Sequence, residues 1–520
     1  MTASVFRWGP LEVVFDEAGT VTAVRHDSDP TASCLTSAGQ VVATTGGAPV
    51  DWSAADVGLD TDEVEVVRRS GDLRLVVRHS FAAGWSVRVT LSNAGASTVT
   101  LEEVLLTWRW PPDRPAWAVA AGAAGSLAVL APDGAGPLLG GVLRLGSVHR
   151  IDADGLHLGP VLLEPRGRYV EQWQWDAYDA PRDFERRQSP GVPRRLDVTL
   201  DEVVTLTADD DEALVLDAEL HAETVRDTVE LTAAAPGRYR VEARSARGVT
   251  AYELGVGDIL ETVLGDAALE LVVGPRTGAR VVRFADVDAA LVVQRALALG
   301  MEHWEHQFSA EDGLDLYGSR LPEIGPFDPK TIAFLCGEHT RTNDPEPLNW
   351  ATRGVLSTQQ PEPGLGIAAT QVCLARLLLG RSIAPVVDHL RVLVAGAAID
   401  PAAVPRREQA ALLELEVVTM PQPGPAPAPL LARAAALGSW VGAGLRGRAV
   451  PPLPADELAH LAAVLALLPE AVSVELGHRW GASAHELARR AQAEVLVRST
   501  GTRVGPAHGW LVLASRSDEG

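Results

Sequence analysis

The chain has 520 residues, of which 47% are hydrophobic and 22% charged. That length calls for about two to four folded units of roughly 100–200 residues each, and the balance excludes wholesale disorder. Acidic residues outnumber basic ones 68 to 45, a formal net charge of −23, which argues against a general attraction to nucleic-acid backbones or anionic membranes.

Met1 to Pro10 lacks a basic start followed by an apolar run, so it does not read as a secretory signal. The longest weakly polar stretch, near 115–132, is broken by Gly122, Gly125 and Ser126 and closed by Pro132. It is shorter than a span of about 20 residues. A soluble, cytoplasmic chain with no membrane partner is expected.

Residues 1–207 read as a large antiparallel β-sandwich. Val64–Val67 and Leu73–Arg78 are rich in β-branched residues, and Trp85–Leu91 alternates apolar and polar. Ser92–Ala96 supplies a turn before Thr98–Leu101 restarts a strand. Two tryptophan pairs, Trp108/Trp110 and Trp173/Trp175, have i, i+2 spacing and would each share one face of a strand. Core packing is expected of the first. The second, flanked by Tyr169, Asp176, Tyr178, Asp179 and Arg182, suits sugar stacking and equally a packed domain interface.

The acidic run Thr207–Glu212 reads as a solvated connector into a small immunoglobulin-like β-sandwich over 208–280. Its strands are expected at Thr228–Thr232, Arg238–Ala243 and Ala268–Val273. From there to 520 the period becomes helical. Asp286 and Asp288 open a first helix, and Ala/Leu-rich segments recur at about 365–380, 383–397, 405–418, 428–446, 455–468 and 483–497. An irregular bundle or α/α-toroid over 281–520 fits better than a solenoid.

The stretch 301–350 interrupts this pattern and concentrates chemistry. It holds Lys330, the only lysine among 45 basic residues, and a long aromatic, non-periodic loop of this kind is usually functional. Glu302, His303, Glu305 and His306 fall at a helix end, where Glu302 faces both Glu305 and His306. They suit acid–base work, a metal pair, or a polar terminus facing water. Asp312, Asp315 and Glu338 are further carboxylates; glycoside cleavage commonly uses two. Cys336-Gly337-Glu338-His339 offers one cysteine and one histidine, without the second pair of a zinc signature. Cys34, Cys336 and Cys373 form no disulfide framework. No GxGxxG, GxxxxGK[ST] or GxSxG motif stands in context, and no basic–aromatic stripe suits nucleic acid. No cofactor, metal or nucleic-acid partner is therefore expected.

The strand pattern through Trp85–Leu101, the aromatic segment Tyr169–Tyr178, the small β module and the helices after Asp286 together resemble carbohydrate-active enzymes with an N-terminal β-supersandwich and a C-terminal α/α-toroid. The resemblance is architectural and covers most of the chain. It implies a glycan ligand and chemistry of the glycoside-hydrolase kind, and the residues themselves point to 301–350 as the lining of the cleft. Glu302, Glu305, Asp312 and Glu338 would form the acid–base pool. Trp173, Trp175, Trp304, Tyr317 and Trp350 would stack sugars, with Lys330, His339 and Arg341 holding hydroxyl or acidic groups. Two other readings stand beside it: a non-catalytic glycan-binding or assembly protein, and a metal-dependent enzyme using Glu302, His306, Cys336 or His339. Substrate, stereochemical outcome and oligomeric state are not written in the sequence.

Overall fold

A computed structural model describes residues 4–207, 213–226, 228–245, 248–272, 286–299, 327–397, 404–420, 426–499 and 503–515. Among these, the first unit is built on two nine-stranded sheets packed face to face, one edge strand of the second coming from the helical region. Strand Arg168–Tyr178 lies inside the second sheet, antiparallel to Trp85–Asn93 on one side and Leu138–Leu145 on the other. Its alternation sends Glu171, Trp173 and Trp175 into the space between the sheets, where all three are fully buried. Trp175 stacks on Trp108 of the opposite sheet with ring centroids 4.1 Å apart, and Trp173 stacks on Trp175 at 5.9 Å.

That placement corrects one expectation. The shared face of Trp173 and Trp175 is the core face, so neither ring is free to stack on a sugar or to form a domain interface. Trp108 and Trp110 are core residues, as their spacing suggested.

The small β module uses two sheets of four and three strands among the described residues, and it begins at Asp197–Thr199, pairing parallel with Gly248–Gly257. The strand expected at Ala268–Val273 is absent: Leu260–Val272 is a helix. Leu260, Val263, Leu264, Ala267, Ala268 and Leu271 repeat at three- and four-residue spacing, and that stripe packs into the helical core. A six-residue run that is apolar at all but Glu270 is too short to tell a strand from a buried helix segment.

The helical unit opens with Val287–Ala298, whose N-cap Asp286 accepts the Ala289 N–H at 3.0 Å. The expected helices are found at Leu365–Leu378, Ala384–Ala395, Arg406–Thr419, Ala428–Trp440, Ala455–Ala466 and Ala484–Ser499. Two more, Pro329–Thr342 and Pro345–Ser357, occupy sequence read as loop. Each starts with Asp as N-cap and Pro in the first turn, and the first ends on Asn343 in the left-handed region (φ 59°). Ala455–Ala466 sits at the centre, packed against Arg406–Thr419, Ala484–Ser499 and Pro506–Ser515. Among the described residues no single helix is long and apolar enough to cross a membrane.

Candidate functional site

Of the residues singled out in 301–350, Glu302, His303, Trp304, Glu305, His306, Asp312, Asp315 and Tyr317 lie outside the described residues. The rest stand on the two helices just named. Glu338 is buried and accepts from Gln294 Nε2 at 2.5 Å and from Arg341 Nη2 at 2.8 Å. It ties Pro329–Thr342 to Val287–Ala298 at a close crossing, where a Cβ on Gly337 would lie 2.0 Å from Gln294 Oε1. His339 Nδ1 donates to the Asp344 carbonyl at 2.6 Å and locks the turn between the two helices. Trp350 is half-buried against the helical core. Cys336 is buried, and among the described residues it belongs with His339 to no group of three metal-ligating side chains.

Lys330 sits deeper. Its Nζ bonds Asp288 Oδ1 at 2.5 Å and the Pro506 carbonyl at 3.2 Å, and lies 4.6 Å from the Trp510 ring centroid. Trp510 in turn packs on His460 at 4.2 Å. His460 Nε2 donates to Glu414 at 2.6 Å. Glu414, with no exposed surface, accepts the backbone N–H groups of Gly364, Gly366 and Ile367, and so caps Leu365–Leu378 from a neighbouring helix. This buried row organises the helices. Of the described 301–350 residues, only Arg341 reaches outward from a buried carboxylate.

Acid–base side chains of a different set converge where the three units meet. The segment Arg448–Ala449 leaves the helical unit to pair as a short edge strand with Ala116–Val119 of the large sandwich. Arg448 then clamps Asp197 of the small module through two bonds, Nε–Oδ2 at 3.0 Å and Nη2–Oδ1 at 2.8 Å. Gly447 makes the close approach possible: its φ is +105°, and a Cβ there would lie 2.1 Å from the Ala118 carbonyl oxygen. Gly447→Ala is expected to lose about 2–3 kcal/mol; a denaturation midpoint equal to the parent's would contradict this.

Beside this clamp lies a cleft of about 420 Å³, lined from the sandwich by His149 and Arg150, from the small module by Arg238, Tyr252 and Glu253, and from the helices by Arg448, Glu494 and Arg498. Burial pushes the Glu494 carboxyl up, although Arg498, bonded to it, opposes the shift. Arg238 pairs with Glu253 at 2.5 Å. The cleft therefore offers a phenol, an imidazole and a carboxyl of raised affinity for protons among several guanidinium groups. A cleft at a domain junction carrying perturbed titratable groups is where a site is sought. Sequence spacing held no trace of it, since Arg448 and Asp197 are 251 positions apart.

No family model matches the sequence, and no curated protein matches it. Three solved structures are similar to it, to very different degrees. Heparinase III aligns over 49% of this chain and 40% of its own at 7% identity and a TM-score of 0.20. A glycoside hydrolase of family 81 from Clostridium thermocellum covers 99% of this chain and 85% of its own, at 8% identity and a TM-score of 0.19. Neither superposition is good enough to describe the fold. A polysaccharide lyase superposes over 99% of both chains with a TM-score of 0.67 at 11% identity. From end to end, sandwich, small module and helices together, the chain has the fold of that lyase structure.

Proposed function

We propose that the protein is a carbohydrate-active enzyme that cleaves a polysaccharide in the three-unit cleft. The observation that carries this is the end-to-end match in fold to a polysaccharide lyase; the cleft chemistry adds support. Each carboxylate there is committed to a guanidinium: Asp197 to Arg448, Glu253 to Arg238, Glu494 to Arg498. A free carboxylate pair for hydrolysis is not what this arrangement favours. Elimination needs other groups. A base removes the proton α to a uronate carboxyl, the electron pair forms a C–C double bond, and the glycosidic C–O bond breaks as its oxygen takes a proton. Tyr252 and His149 suit the proton transfers, and the cleft guanidinium groups suit the charge that builds on the carboxyl.

The second reading is hydrolysis by the carboxylates Glu302, Glu305 and Asp312, Glu338 being held by Arg341 and Gln294. It is favoured by their density in one segment. Mass spectrometry of products from neutral and uronate-containing polysaccharides separates the two. Elimination leaves an unsaturated sugar end with no added mass, whereas hydrolysis adds one water per cut. Tyr252→Phe is expected to reduce kcat about 100-fold with little change in melting temperature. Unsaturated product formed at the parental rate by Tyr252→Phe would remove Tyr252 from the mechanism. No product of either kind across the panel would sink the enzymatic reading in favour of glycan binding.

A further inference from the structure

Two hollows of about 270 and 150 Å³, distinct from the cleft, share Arg194 and Arg195 in their walls, and together they count as one groove. Arg446, Arg489 and Arg490 complete the groove. Glu486 is the one acidic residue in the two linings. Even counting Glu185 and Glu202, which pair with Arg194, Arg446 and Arg195, five positive charges face three negative ones. In a chain of net charge −23, such a local excess of two demands a reason.

The individual arginines sharpen it. Arg490 is fully buried, with Nη1 bonded to the Leu445 carbonyl at 2.6 Å and Nη2 to the Gly447 carbonyl at 2.9 Å, and its guanidinium lies over the Trp117 ring. Among the described residues it forms no ion pair. Burial pushes its pKa down to about 10, which still leaves it cationic at neutral pH. Glu494 and Asp197 offset part of that charge from beyond hydrogen-bond reach, and the remainder adds to the positive field of the adjoining groove. Arg489, one position away, is exposed and has no hydrogen bond or ion pair among the described residues. Arg194 holds Glu185 only at 3.3 and 3.4 Å and is about half exposed. Arg194 also donates to the Gly481 carbonyl at 3.1 Å, so Arg194, Arg195, Arg446 and Arg490 make a fixed cationic floor and Arg489 is the side chain left to reach a ligand.

We propose that this groove is a second binding site, separate from the cleft, for an acidic oligosaccharide gripped through its carboxylate or sulfate groups. Planar guanidinium forks match those groups two bonds at a time. The larger hollow is also lined by Pro190, Pro193, Val198 and Val203, and neither lining contains an aromatic ring, so there is no platform on which nucleobases would stack. The choice of a glycan rests on the proposed function; the charge rests on the arginines alone.

The test is calorimetric titration of the full chain with a sulfated oligosaccharide, an oligouronate, an uncharged oligosaccharide and a single-stranded oligonucleotide. The parent should bind one or both acidic sugars, more weakly as salt rises, and the neutral sugar not at all. Arg489→Glu should raise the Kd about tenfold with the melting temperature unchanged. Arg489→Gln, the milder variant, should fall between. Binding equal in parent and Arg489→Glu, binding of the neutral sugar as tightly, preference for the oligonucleotide, or no binding at all would each overturn the site. Polysaccharide turnover is read separately: Arg489→Glu stands away from the cleft and should keep the parental kcat. A failed groove therefore leaves the enzymatic reading standing, and a failed turnover assay leaves the groove measurable.

Discussion

Replacing Lys330 with Met is expected to destabilise the helical unit by about 3–5 kcal/mol, the size of loss that follows when one partner of a buried ion pair is removed. The ammonium is its side chain's only charged group, and that side chain is 12% exposed; the paired Asp288 side chain is 10% exposed. The substitution keeps an apolar stem of similar length, so the loss is mainly that of leaving a carboxylate buried without its cation. The bonds involved join Val287–Ala298, Pro329–Thr342 and the start of Pro506–Ser515, so the effect should be felt across three helices. Denaturant unfolding supplies the measurement. Asp288→Asn in the same background should recover about 2 kcal/mol, because it withdraws the stranded charge. A single variant within about 0.5 kcal/mol of the parent would show the pair to be unimportant. The geometry also accounts for the survival of one lysine in a chain that otherwise uses arginine. A Cβ on Gly509 would already lie 3.2 Å from Nζ and 1.9 Å from Asp288 Oδ1. A compact ammonium fits that corner, and a planar guanidinium would not.

Lys330 also marks the boundary of what the sequence discloses. Its oddity was visible in composition, but its role depends on Asp288 and Pro506, which are 42 and 176 positions away. The Asp-Pro pairs at 328–329 and 344–345 are helix-start signals that the sequence does carry. They are easily passed over because the helix between them buries Glu338 and His339, so its inward face does not read as apolar. Strand period placed Trp173 and Trp175 on one face correctly. Which face it was depended on the two strands that bracket them. The order of sandwich, small module and helices was legible because each has its own hydrophobic period. The cleft and the arginine groove were not, because both are assembled from segments of different units whose meeting is a tertiary event. Glu414 is the plainest case: nothing near it in sequence says that it caps a helix starting about fifty residues earlier.

Between about pH 6.5 and 8 the large sandwich should lose stability with rising pH by roughly 1.4 kcal/mol per unit, and Glu171→Gln should flatten that slope. Burial pushes the Glu171 carboxyl up to about 8, against the opposing hydrogen bonds from Trp173 Nε1 at 2.5 Å and Tyr169 Oη at 3.1 Å. The folded sandwich therefore keeps the proton until about pH 8, while the unfolded chain releases it near the ordinary value of 4.5. The unfolded state thus binds fewer protons throughout that interval, so its stability advantage grows as pH rises; the folded state's is complete below the lower value and gone above the higher one. Below about 6.5 a second group works the other way. Burial pushes His79 down to about 3, so the unfolded chain gains a proton there that the folded sandwich refuses, and acid removes stability. The two effects oppose each other from 4.5 to 6.5, which is why the interval above is the diagnostic one. Glutamine keeps an oxygen for Trp173 and Tyr169 while carrying no titrating proton, so parent and variant should diverge steadily through it. Their difference cancels the surface carboxylates common to both. Denaturation midpoints taken at half-unit steps from pH 5 to 9 that ran parallel would mean Glu171 is already ionised in the folded state, and that the pocket between Trp173 and Tyr169 is wetter than its burial implies.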